Sequence, residues 1–150
     1  MICTIISIIL IIVASLFVKF SIAFQKQRKL IASQGGISIR YKHLVDGLLA
    51  CPGARVIQDN KYIPFINIAG HYKDPIMNDR ECGYWSVTIQ PVFKFLYIEY
   101  KAHNDLEGGI EGGTNAYKKW KFPIDMDQKE ILAIVTEEAN EWNKFGIFRY

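Results

Sequence analysis

Hydrophobic positions run without a break from Ile2 to Val18, later recur at helical spacing, then alternate, then return to helical spacing, and each change of period marks a new element. Twelve of the seventeen residues in the first run are Ile, Leu, Val or Phe, and none is charged. As a helix this run covers about 25 Å and gains roughly 4–7 kcal/mol on entering a bilayer. Lys19 can carry its charge to the interface while Phe20, Ile22, Ala23 and Phe24 extend the apolar surface, so residues 1–24 are predicted to form a transmembrane anchor. The alternative is a secretory signal cleaved near Ala23, with Ser21-Ile22-Ala23 as the small-residue site and the remainder exported. Two features favour the uncleaved anchor: no Lys or Arg precedes the run, and Lys19 would fall inside the cleavage region. A lipoprotein signal is disfavoured as well, because Cys3 precedes the apolar run instead of following it.

Between Ile37 and Leu49 the apolar residues Ile37, Tyr41, Leu44, Val45 and Leu48 recur every three or four positions, which predicts an amphipathic helix stopped by Pro52-Gly53. Residues 55–58 and 62–68 are rich in β-formers and flank Asp59-Asn60-Lys61, so they are expected to pair as a hairpin, with Pro64 placing its strand at an edge or bulge. After a polar connection from Lys73 to Glu81, Trp85, Val87 and Ile89 alternate with Tyr84, Ser86, Thr88 and Gln90, the pattern of a strand with one buried face. The run from Val92 to Ala102 starts apolar on both faces and is expected to be a central strand. Pro91 lies at a junction without the usual turn residues, which leaves one long bulged strand as an alternative to two paired strands.

A small repeat, Glu107-Gly108-Gly109-Ile110 and Glu111-Gly112-Gly113-Thr114, lies within a predicted mobile loop from His103 to Ala116. It lacks the Lys-Ser or Lys-Thr of a phosphate loop and leads toward a strand, Tyr117 to Phe122. Asp127 stands three residues before Glu130 as a helix cap, with Asp125 as an alternative. Ile131, Leu132, Ile134, Val135, Ala139 and Trp142 then share a broad face of a helix reaching about Lys144. The expected fold is α+β: an antiparallel sheet of four to five strands with an N-terminal and a C-terminal helix on one side, preceded by a single transmembrane helix.

Charge refines this division. Lys19, Lys26, Arg28 and Lys29 all follow the apolar run, so residues 25–36 read as a basic juxtamembrane linker, and the positive-inside rule places residues 37–150 in the cytosol as one α+β domain. The same four side chains are candidate contacts to anionic headgroups. Without them, 14 Lys and Arg stand against 15 Asp and Glu, so the chain's net charge of +3 is no sign of a nucleic-acid surface. Neither Cys51 nor Cys82 has CxxC spacing, and reduced thiols suit a cytosolic domain; a bridge between them is the expectation for an exported one.

Among residues able to do chemistry, Cys82, His71, His103 and Asp105 lie near predicted strand or loop ends, and a thiol beside a base would be a nucleophile. Unrelated histidines and a small buried cysteine account for the same letters, and no metal-ligand spacing is present. Glu138 interrupts the apolar face of the last helix; at its rim it reaches water, and if buried it needs a partner or lines a ligand pocket. Aromatic residues number 20, and Trp142, Phe145, Phe148 and Tyr150 near the C-terminus suit either a partner's groove or the protein's own sheet edge. These features point to a single-pass membrane protein presenting a non-catalytic interaction module, an adaptor or accessory domain, to a protein partner at the bilayer. No cofactor is expected. A membrane-tethered thiol enzyme built on Cys82 and a small-ligand binder are the alternatives.

Overall fold

A computed structural model describes residues 2–51, 53–60, 64–73, 81–104 and 114–142. They form α1 (Ile2–Ser33), α2 (Ile37–Arg40), α3 (Lys42–Leu49), β1 (Arg55–Asn60), β2 (Phe65–Lys73), β3 (Glu81–Val92), β4 (Phe95–Asn104), β5 (Thr114–Pro123) and α4 (Gln128–Trp142). The five strands make one antiparallel meander in the order β1-β2-β3-β4-β5. The fold is the α+β arrangement expected from the sequence.

Alternation along the strands divides the sheet into two unlike faces. One carries Ile66 and Ile68 of β2, Trp85, Val87 and Ile89 of β3, Leu96, Ile98 and Tyr100 of β4, and Trp120 and Phe122 of β5, all buried. Against it pack Leu44, Val45 and Leu48 of α3 and Ile131, Val135 and Ala139 of α4, closing a single core. Each fully buried aliphatic side chain contributes about 1.5–3 kcal/mol relative to exposure. Asp127 caps α4 as its sequence suggests, its Oδ1 accepting from the N–H groups of Lys129 at 2.7 Å and Glu130 at 3.3 Å.

α1 has two environments. Its large apolar side chains from Ile5 to Phe20 are each at least half exposed, reaching 68% at Ile11 and 70% at Phe17, whereas Ile31 is buried in the domain core. The helix is long and apolar enough to cross a membrane. At about 48 Å it exceeds the hydrocarbon thickness by several turns. The stretch read as a linker from 25 to 36 therefore begins as helix, and only the Gly35-Gly36 turn ends it. There Gly36 N–H bonds to Ile31 C=O at 2.9 Å and Gly35 N–H to Ala32 C=O at 3.1 Å, the paired bonds of a Schellman stop, with Gly35 at φ +88°.

Sequence expectations change in detail at several places: Asp59 and Asn60, expected in a hairpin turn, are the last paired residues of β1, and His103, Asn104 and Thr114 to Ala116, expected in a loop, belong to β4 and β5. The helix expected over Ile37–Leu49 is divided at Tyr41. Gln128 of α4 joins the two pieces: its Nε2 donates to Arg40 C=O at 3.0 Å, and its Oε1 accepts from Leu44 N–H at 3.3 Å, supplying the cap that Tyr41 does not provide. Pro64 precedes β2 instead of lying within it, so β2 occupies an interior position between β1 and β3. The β3–β4 junction is a tight two-residue loop, Phe93-Lys94, and the long-bulged-strand alternative is set aside. Its first residue, Phe93, has φ +53°, the sign that primed hairpin loops require and that glycine usually supplies. Asp105 and the glycine repeat up to Gly113 lie outside the described residues, as do Phe145, Phe148 and Tyr150, and the last residue of the repeat, Thr114, opens β5.

Candidate functional site

The second face of the sheet has no layer over it among the described residues. Registers place His71, Tyr84 and His103 on one rung, Ala69, Ser86, Lys101 and Tyr117 on another, and Asn67, Thr88, Glu99 and Lys119 on a third. Gln90, Tyr97 and Lys121 follow, with Phe95 next to the hairpin loop. Tyr84 and Tyr117 are more than half exposed and Phe95 is 38% exposed, in contrast to Trp85, which neighbours Tyr84 in the chain and is fully buried. The apolar start of β4 noted in the sequence thus divides between the core, through Leu96 and Ile98, and this open face, through Phe95 and Tyr97.

Lysines and rings interleave down β4 and β5. Lys101 Nζ lies 5.9 Å from the Tyr117 ring centroid, Lys119 Nζ 5.4 Å from that of Tyr97, and Lys121 Nζ 3.8 Å from that of Phe95. Each pair couples a cation to the negative face of an aromatic ring, at about 0.5–1 kcal/mol for exposed sites. Glu99 bonds Lys101 at 2.6 Å and raises the lysine's pKa, chiefly through that hydrogen bond, so Lys101 stays charged. Three lysines against one carboxylate give this face a positive bias within a domain that is nearly neutral overall.

The proposed thiol centre is only partly assembled. His71 and His103 flank Tyr84 on the same rung, and the Tyr84 and His103 rings lie 5.5 Å apart. With a strand between them the histidine backbones are about 10 Å apart, two inter-strand spacings. Cys82 falls in β3 beside the irregularity at Tyr72/Lys73, and the side-chain position of Cys82 is outside the described residues, as is Asp105. No cluster of three or more His, Cys, Asp or Glu suited to a metal occurs among the described residues. Cys51 is a free thiol 4% exposed, and burial pushes its pKa up to about 11, which makes it unreactive.

Glu138 bridges α4 and β5. Its Oε2 accepts from Lys118 Nζ at 2.9 Å and from Trp120 Nε1 at 3.0 Å. These two partners, Lys118 first, hold its pKa below the ordinary 4.5. The stabilisation is complete above 4.5 and is lost as pH falls through the lowered folded value. Glu138→Gln keeps an acceptor for Trp120 but removes the charge, so an unfolding midpoint at pH 7 is expected to report a loss of about 0.5–1 kcal/mol for this half-exposed pair. That difference should shrink as pH falls below 4.5 and through the lowered folded value; a difference that does not change over that fall would rule out the ionic contribution.

Near the end of the apolar helix lies a second constellation, which sequence reading missed. Gln27 Nε2 donates to Phe93 C=O at 3.2 Å, and Phe93 N–H donates to Gln27 Oε1 at 2.8 Å. One turn or two earlier, Phe20 meets the Phe93 ring edge-on at 5.0 Å between centroids and stacks along α1 with Phe24. The β3–β4 loop is therefore fastened to α1 on both sides of Ser21-Ile22-Ala23. Of the basic residues expected at the membrane surface, Lys26 lines a groove beside this loop, Arg28 lies over the Phe24 ring at 5.9 Å, and Lys19 and Lys29 are exposed. No protein-family model, curated protein or solved structure matches the chain. Trp142 ends α4; of the residues singled out near the C-terminus it is the one whose backbone is described.

Proposed function

We propose that α1 anchors the protein in a membrane by a single pass and that the domain, in the cytosol, binds an acidic segment of a protein in the same membrane through the open face of its sheet, without catalysis. The carrying observation is the contrast between the two faces: helices fill one completely, and the other presents Tyr84, Tyr97, Tyr117 and Phe95 among three lysines. Aromatic side chains offer contact area at little entropic cost, and lysines select an acidic counterpart. Anchoring raises the local concentration of both partners, so a modest interface suffices. Two further features support the uncleaved anchor. Cleavage near Ala23 would remove Phe20 from Phe93, and Lys19, Lys26, Arg28 and Lys29 favour retention of that flank in the cytosol.

A photo-crosslinking residue at Tyr97, with the exposed Glu130 on α4 as the control position, tests the reading in intact membranes of cells making the full-length protein. The expected result is a protein adduct at position 97 only, weakened by salt and lost on adding Lys119→Glu and Lys121→Glu. Equal adducts at both positions, no adduct at 97, or an adduct destroyed by nuclease would contradict it.

A further inference from the structure

Beside the Gln27–Phe93 clamp is a groove of about 410 Å³ lined by Lys26, Gln27, Leu30, Arg40, Phe93, Lys94 and Ile124. Its three cations come from three different elements, α1, α2 and the β3–β4 loop, and its lining contains no Asp or Glu. The remaining surface is largely apolar, and Leu30 is half exposed on it. The walls are fixed: Gln27 is hydrogen-bonded to both backbone groups of Phe93, Lys94 C=O accepts from Ile124 N–H at 2.9 Å, and Arg40 Nη1 donates to Gln34 Oε1 at 3.0 Å. The guanidinium also lies 5.7 Å from the Tyr41 ring centroid, and its planar fork carries further N–H donors suited to an oxyanion.

The groove also sits at a particular depth along α1. Lys26 lies six residues beyond Phe20, about 9 Å along the helix, which places it at headgroup depth if the hydrocarbon ends near Phe20 to Ile22. Phe93, in the groove wall, touches Phe20 of the apolar segment, so an apolar path leads from the groove toward the acyl region. A positively charged recess with an apolar floor that opens toward hydrocarbon is complementary to an amphiphile carrying a phosphate. We propose that the groove holds the headgroup of an anionic phospholipid, with Lys26, Lys94 and Arg40 on the phosphate and Leu30, Phe93 and Ile124 against the glycerol and upper acyl chain. This rests on the membrane-anchored reading of α1 and adds to it a defined lipid site, which fixes how the domain stands on the bilayer.

Native mass spectrometry of the full-length protein in maltoside micelles, titrated with dioleoylphosphatidylglycerol or dioleoylphosphatidylcholine, tests the proposal. A one-to-one phosphatidylglycerol adduct is expected, at least about tenfold weaker in Lys26→Gln/Lys94→Gln, since each basic residue near the headgroups contributes a comparable attraction. Lys42→Gln/Lys129→Gln removes the same charge from α3 and α4, away from α1 and the groove, and should leave the adduct within about twofold of the original. Equal retention of the zwitterionic lipid, equal weakening in the two variants, or displacement of the lipid by an equal concentration of inorganic phosphate would overturn the site. A protein that washes out of membranes with alkaline carbonate would overturn the anchor and the lipid together. Loss of lipid selectivity in a protein that stays in the membrane would overturn the groove alone.

Discussion

Gly70→Val is expected to destabilise the domain by about 3 kcal/mol, lowering its midpoint by roughly 12–20 °C for a domain of this size. Gly70 lies in β2 directly opposite Trp85 of β3, on the core face of the sheet. A Cβ at that position would meet Cε2, Cζ2 and Nε1 of the indole at 2.8 Å, closer than carbon atoms pack. The indole is fully buried and flat, so it has no flexible end to turn aside, and close-packed interiors yield little to such a clash. Glycine is therefore required here by space, not by backbone torsion. Gly70→Ala should cost a smaller amount of the same kind, and Trp85→Phe, although destabilising alone, should recover part of the Gly70→Val loss in the double variant. Strictly additive losses, measured by thermal unfolding of the four proteins, would show that the clash is not the cause.

The second large effect is expected at the junction of α1 and the domain. Replacing Gln27 by Ala and Phe93 by Gly removes two hydrogen bonds to the Phe93 backbone and the ring contact with Phe20, together about 3 kcal/mol of docking. Glycine is chosen because Phe93 holds φ +53°, a conformation uncommon for a residue with a Cβ, so the hairpin itself loses strain while the docking is lost. Spin labels on α1 and on the exposed face of β3, in the full-length protein in bilayers, should give one narrow distance distribution in the original and a broad one in the variant. Equal widths would mean that the clamp does not fix the domain's attitude. The positive φ at Phe93 is thus held by its contacts with α1, and it sets the aromatic ring against Phe20 in the apolar part of that helix.

How far the sequence was legible follows from where each signal resides. Trp85, Val87 and Ile89 alternate with polar residues because β3 has one face in the core and one open, and that difference is written in the chain itself. The face of α4 and its Asp127 cap are local patterns of the same kind, whereas the continuation of α1 through the basic run to Gly35-Gly36 was not read, since charges after an apolar segment look alike in a helix and in a linker. The division of the helix at Tyr41 is not local, since the groups that permit it sit on Gln128, more than eighty residues away. Nor could the Phe93-Lys94 turn be read from its own letters: neither residue favours a turn, and Gln27, sixty-six positions earlier, fastens the loop that they form. Both glutamines look like ordinary helix-surface residues until the tertiary structure sets their amides opposite a break in backbone pairing. The open face was half legible. Tyr84 and Thr88 pointed to an outer surface, whereas the ladder of lysines and rings needs the register of β4 against β5, which no single strand specifies. His71 and His103 came together on one rung for that same reason, a consequence of pairing and not of spacing along the chain.

Sidedness of the open face bears most directly on the whole arrangement. With Cys3 and Cys82 replaced by Ser and Cys51 left in its buried site, Tyr84→Cys offers one reactive thiol on the middle strand of that face. A membrane-impermeant maleimide added to intact cells should leave it unmodified, and the same reagent added after the membrane is opened should label it fully, on a protein of undiminished length. Labelling of intact cells, or a labelled chain shortened to begin near Phe24, would contradict a cytosolic domain held by an uncleaved helix.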